Sequence, residues 1–267
     1  MTTSDHPTLE SIRTQLDRVD DPELDKSIVD LEYIHTLDIN GSAVAVELVL
    51  PTAWCSPAFA WMMATDARDE IERLPSVTEA TIRLADHMHA EAINRGVNER
   101  LRFETVFEDA TEGIEAVRRT LDEKARMGRQ YRAVETLLDA GLEPEQIVGL
   151  TRGDVTLDGK NEGDNTNSLN ITASHLDRAA ISLADGAFVV FVPAEPIATY
   201  LQKATDVGVV ASPDDRLFVT SEGDPIPPHE FDRVHHRARL AETTVSGQGS
   251  ICDGLNKARA GTTEEAN

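Results

Sequence analysis

The chain has two cysteines, Cys55 and Cys252, and neither belongs to a CxxC pair. Two thiols are too few for a disulfide framework or a four-thiolate zinc site within one chain. Cys55 lies in PTAWCSPA, between an apolar run that reads as a strand and a stretch that favours helix. A helix beginning there offers unpaired N–H groups and the positive end of the macrodipole, both of which favour a thiolate. Two readings follow: a reactive or metal-ligating thiol, or a buried cysteine acting as a small hydrophobe. Cys252, in GSICDGLNKAR at another expected helix start, carries the same pair of readings, as a second metal-ligating thiol or as a core residue.

His87 and His89 form an HxH pair at the end of an expected strand, where period-2 geometry would put both imidazoles on one face. His87, with Asp86 and Glu91 near it in sequence, is the candidate metal ligand of the two; side-by-side surface histidines are the alternative. His235 and His236 fall among Arg233, Arg237 and Arg239 in a helix-like segment, a solvated basic face that could also dock an acidic partner. A thiol enzyme built on Cys55 would need a base, and no histidine lies close to it in sequence, although spatial contact is not excluded by that.

These residues need elements to hold them. In 7–20, Leu9, Ile12, Leu16 and Val19 recur at intervals of three and four, the stripe of an amphipathic helix. The acid-rich DDPELD after it suits a loop. SIVDLEYIHTLDI and SAVAVELVL then read as strands around Asn40-Gly41, a type I′ hairpin signal. A helix over 58–74, a break at Pro75-Ser76 and a strand over 77–84 complete an α+β unit of helix, hairpin, helix and strand, placed at 1–108. Residues 109–140 read as a connecting helix. A second α+β domain is expected over 141–267, with a short helix at 143–150, a strand at DVTLDG and a polar loop at 159–168. Strands at 187–192 and 217–220, helices at 194–206, 228–241 and near 250–260, and a frayed tail from Gly261 follow.

Composition narrows the partners. The chain of 267 residues carries 48 acids against 25 bases, a formal net charge of −23, and 20 of those bases are Arg. A surface that tracks phosphates needs clustered cations, so nucleic acid is not expected. No apolar stretch reaches the roughly 20 residues of a membrane span, and the N-terminus has no basic region followed by an apolar one, so no membrane anchoring or export is expected and the location is read as cytoplasmic. Acids spread evenly along the chain suit a halophilic, high-salt cytoplasm, where screening lengths fall to about 3 Å at 1 M. An ordinary acidic protein is the alternative.

DPELDKSIVDL at 21–31, the hairpin after it, TAWCSP, and LPSV before the third strand occur in a familiar order. Over about residues 8–105 the chain resembles the PaaD/SufT-like family of metal-sulfur cluster assembly factors, also catalogued as domain-of-unknown-function family 59. The family pattern is a DPE loop, an SIVDLG-like stretch, a strand ending in Thr, a Cys-Pro at the next helix, and LPGV before the last strand. Glu32 and Ser76 stand where that pattern has Gly, and Ser56 separates Cys55 from Pro57. The Glu32 change is expected to bear on the turn after the DPE loop.

The resemblance implies a functional site of Asp21, Glu23, Thr52 and Cys55, with no catalytic residue assigned. It implies a factor in iron-sulfur cluster assembly or metalloprotein maturation, handling iron or a transient iron-sulfur cluster as cargo or targeting a client through Cys55, rather than a catalyst. Stable clusters usually take four ligands, mainly thiolates. Cys55 would therefore be completed by a homodimer partner, by other iron-sulfur assembly proteins, by a client metalloprotein, or within the chain by Cys252 and His87. The alternative is a non-metal adaptor or regulatory binding protein. Residues 137–159, DDRLFVTSEGDPIPPHEF and HHRAR faintly resemble the core of tyrosine recombinases. The only tyrosines are Tyr33, Tyr131 and Tyr200, and the expected arginine region reads EPEQI, so the likeness implies either a degenerate, non-catalytic relative or a chance similarity of helix-turn-strand texture.

Overall fold

The computed structural model describes residues 6–110, 113–157, 177–184 and 186–264, with side chains described to residue 247. It is an α+β protein of two compact units, one formed by Met1–Leu121 with Val245–Asn267 and the other by Asp122–Thr244.

In the first unit, α1 (Leu9–Leu16) starts with a capping box in which Thr8 and Ser11 exchange hydrogen bonds. Ile12 and Leu16 are buried, whereas Leu9 of the same stripe is exposed and Val19 is buried beyond the helix end. The helix is thus shorter than its apolar pattern. Two-residue strands β1 (Asp20–Asp21) and β2 (Lys26–Ser27) flank the DPE loop. β3 (Ile34–Asn40) and β4 (Ala43–Val49) form the expected hairpin, but Asn40 pairs with Ala43 and the loop is Gly41-Ser42. Only Gly41 has a positive φ, 64°. Glycine leading a two-residue loop suits the type II′ turn, one residue on from the expected type I′ turn.

α2 (Pro57–Glu72) crosses over so that β5 (Glu79–Ala85) runs parallel to β4, giving the order β3-β4-β5. Alternation does the sorting: Val44, Val46, Leu48, Ala80, Ile82 and Leu84 point into the core with Ile12, Leu16 and Ile71. On the other face Glu47 and Arg83, opposite each other in register, form an ion pair. α3 (Ala90–Asn98) lies along β5, and two asparagines one turn apart occupy the strand's edge. Asn98 accepts from the Ile82 amide at 2.9 Å and donates to the Ile82 carbonyl at 2.8 Å; Asn94 does the same for Leu84 at 2.7 and 3.0 Å. Gly96 lets α3 approach α2, since a Cβ there would come within 2.4 Å of the Trp61 ring. The short α4 (Phe103–Val106) brings Phe103 and Phe107 against Trp61 at ring-centroid distances of 5.4 and 6.2 Å.

The second unit takes most of α5 (Ile114–Asp139), then α6 (Pro144–Gly149), an antiparallel sheet of β6 (Val155–Leu157), β7 (Arg178–Leu183) and β8 (Phe188–Pro193), α7 (Ala194–Asp206) and the first part of α8 (Phe231–Glu264). The division between the units falls inside α5 and inside α8. α8 is continuous where two helices were expected, and the polar loop 159–168 lies outside the described residues.

LFVT at 217–220 is not a strand. Leu217, Phe218 and Val219 are buried as a strand's would be, but side chains satisfy much of their backbone. Tyr200 donates to the Leu217 carbonyl at 2.5 Å, Gln130 to the Val219 carbonyl at 3.0 Å, and Arg126 to those of Thr220 and Ser221 at 2.8 and 3.2 Å. Arg126 is only 2% exposed, and burial holds the Tyr200 phenol far above its ordinary range.

Candidate functional site

Cys55 is half-buried at the mouth of α2, packed against the first unit's core. Ser56 is the N-cap but gives no side-chain cap, and Pro57 at the first turn has no amide to donate. The helix start beside the thiol therefore keeps the positive character expected of it.

Two side chains and one backbone bond shape the loop that carries Cys55. The Thr52 hydroxyl accepts from the Trp54 amide at 3.3 Å. The Met88 amide donates to the Ala53 carbonyl at 3.0 Å. The His87 Nε2 lies 2.9 Å from the Cys55 carbonyl, and His87 Nδ1 is 3.2 Å from the His89 amide. Because Nδ1 must accept from that amide, these partners assign the proton to Nε2, which donates to the carbonyl. Both nitrogens of His87 are thus engaged by backbone, and the ring is buried. A histidine distant in sequence does reach Cys55, but through its carbonyl. The HxH argument from strand period does not apply, because β5 ends at Ala85 and Asp86 turns the chain with φ 53°. His89 is instead the N-cap residue of α3 and packs edge-on against Phe107 at 5.6 Å. Through Phe107, Phe103 and Trp61 the 87–89 turn is anchored to the core.

Asp21 points inward. One carboxylate oxygen accepts from the Glu23 and Leu24 amides at 2.9 and 3.2 Å, and the other from the Tyr33 hydroxyl at 3.3 Å. Burial raises its pKa above the ordinary carboxylate value, with those hydrogen bonds opposing the rise. It holds the DPE loop in one helical turn, closed by the Asp25 amide on the Asp21 carbonyl at 2.8 Å. Glu23 is half-buried in that turn. Glu32 takes φ 57°, so the turn after the loop keeps a left-handed residue where the family pattern has glycine. The side chain of Cys252, on α8, lies outside the described residues. Among the described residues no group of three or more His, Cys, Asp or Glu side chains is arranged to hold a metal ion.

What the sequence reading passed over is apolar. Trp54 is 76% exposed and Met88 56% exposed, and the bond between Ala53 and Met88 puts their two loops side by side. The signal was present: an aromatic next to the thiol in a chain with 4% aromatic residues.

Residues 9–82 match the family model described as iron-sulfur cluster assembly protein. Over this stretch, somewhat more than a quarter of the chain, the sequence is similar to that family, which supports the resemblance read over about residues 8–105. The matched stretch takes in Asp21, Glu23, Thr52 and Cys55 and stops short of His87. The family it is similar to is described by a general role in iron-sulfur cluster assembly. No curated protein and no solved structure matches the chain. Among the described residues no helix is long and apolar enough to cross a membrane.

Proposed function

We propose that the protein is an iron-sulfur cluster assembly or metalloprotein maturation factor, which takes iron or a cluster in transit on Cys55 and passes it to a client metalloprotein. The observation that carries this reading is the setting of Cys55: a thiol at a helix start, in a loop pinned by His87 and flanked by exposed Trp54 and Met88. A helix start favours the thiolate that iron binds. One thiolate is a weak resting site, which suits cargo that must leave, and the other ligands come from an assembly protein, the client or a second copy. Asp21, Thr52 and His87 act as positioning residues, since Asp21 holds the backbone of the DPE loop and Thr52 and His87 hold that of the Cys55 loop. The second unit selects the client, and the excess of 23 negative charges suits work in a high-salt cytoplasm.

The test is anaerobic reconstitution of the full chain and of Cys55→Ser, read by visible absorption and by bound iron and sulfide. Wild type is expected to take up iron, and the serine variant to lose at least ten-fold of it with its unfolding midpoint little changed. Equal loading of the two would remove Cys55 from the mechanism. A second reading, an adaptor without metal chemistry, is favoured by the exposure of Trp54 and Met88. It takes the lead if neither chain binds iron while Trp54→Ala loses client binding.

A further inference from the structure

We propose that β8 is a self-association edge, through which two copies pair antiparallel in a register centred on Val190. The sheet order β6-β7-β8 leaves the outer side of β8 without a strand partner among the described residues. Three of the eight large apolar side chains exposed among the described residues lie on this one strand: Phe188 at 67%, Val189 at 48% and Phe191 at 50%.

Exposed edges are usually blunted by charge, by covering side chains or by brevity. The first unit follows that rule, with Asn94 and Asn98 on the β5 edge and His35 and Asp38 on β3. β6, the other edge of the second sheet, has three residues among those described. β8 uses no such device along 188–192, a run without a charged residue in a chain that is 27% charged.

The occupant that fits is a second copy. For a chain of net charge −23, most surfaces would meet their copies with like charges in contact. This strand brings none of its own, and the cation beside it, Arg178, is drawn over the Phe191 ring at 5.2 Å. Residues 188–192 are also centred on Val190, and Pro193 ends the run with no amide to extend a ladder. A two-fold axis at Val190 keeps corresponding faces on the same side, because paired residues then have the same parity. It sets Val189 opposite the partner's Phe191 and Phe191 opposite the partner's Val189, both pairings of a β-branched with an aromatic side chain. The long-range repulsion that remains is screened at molar salt.

Sedimentation equilibrium of the full chain at tens of micromolar in molar KCl should give twice the mass of one chain, with dissociation in dilute buffer. Val189→Lys and Phe191→Lys alter exposed positions and should weaken the dimer at least ten-fold with unchanged circular dichroism. Val190→Cys should give, on mild oxidation, a disulfide-linked peptide joining residue 190 of both chains, since opposed Cα atoms about 4.5–5.5 Å apart lie within disulfide reach. A wild-type chain that stays monomeric in molar KCl overturns the proposal, as does a dimer indifferent to both lysines. A dimer that never yields the 190–190 link overturns the register.

Discussion

The two units differ in where they use side chains to stand in for missing backbone partners. In the first unit those side chains are at rims and loops: Asn94 and Asn98 along β5, Asp21 under the DPE loop, His87 on the Cys55 carbonyl. In the second they lie in the core, where Arg126, Gln130 and Tyr200 hold the backbone of 217–221. The same chemistry has different consequences. A polar group left alone at a rim can turn to water, whereas one left alone in a core bears the full desolvation penalty. The first arrangement fixes loops that remain accessible; the second fastens α5 and α7 to a buried segment.

The largest effect expected from this contrast is that of Gln130→Leu. Gln130 is 2% exposed; it donates to the Val219 carbonyl at 3.0 Å and accepts from the Val219 amide at 3.4 Å. Leucine abandons both groups inside the core, at an expected cost of about 3 kcal/mol. The two tryptophans, Trp54 and Trp61, belong to the first unit, so their emission reports that unit while far-ultraviolet circular dichroism reports both. In urea the variant should lower the midpoint seen by circular dichroism more than that seen by emission. Equal shifts would mean that the units unfold together and that the contrast has no energetic meaning.

The sequence made part of this organisation legible. The order of helix, hairpin, helix and strand, and Cys55 at the start of α2, could be read from local patterns because near neighbours form them. LFVT was misread because its burial resembles a strand's, while its partners come from residues 126, 130 and 200, which no local pattern links to it. The HxH reading failed for a smaller reason. It assumed that β5 continues to His89, and one left-handed residue, Asp86, ends it first. Asp21 was legible as a member of the loop but not as buried, because a DPE motif has the same letters whether its first carboxylate faces iron or the backbone.

Asp21 gives the middle-sized test, on the first unit's side of the comparison but from a buried position. Asp21→Ala removes the acceptor for the Glu23 and Leu24 amides and should cost about 2 kcal/mol. Asp21→Asn keeps an oxygen for them and should cost less. The pH dependence separates charge from geometry. The folded carboxyl is raised by burial, so above the ordinary carboxylate pKa the folded state holds a proton that the unfolded state has lost. Its contribution to stability therefore declines as pH rises from about 4 through the raised value. The asparagine variant lacks that loss, so its stability relative to wild type should improve between pH 4 and pH 7. A difference that is flat or of opposite slope would mean that the carboxylate is preferred where it sits.

The smallest effect should be a gain. Glu32 is exposed and holds φ 57°, a conformation that costs a residue with a Cβ about 1–2 kcal/mol. Glycine removes that strain but loses part of the benefit to the greater entropy of the unfolded chain, roughly 0.4–1 kcal/mol. Glu32→Gly should thus stabilise the first unit by about 0.5–1 kcal/mol, visible as a higher urea midpoint in tryptophan emission. Glu32→Ala, which keeps the Cβ, should give no such gain. The pair sharpens the comparison because it changes a loop of the first unit without touching any side chain that replaces a backbone partner. If alanine and glycine behave alike, the gain belongs to removing a negative charge from an acidic surface rather than to the turn, and raising the salt concentration should abolish it.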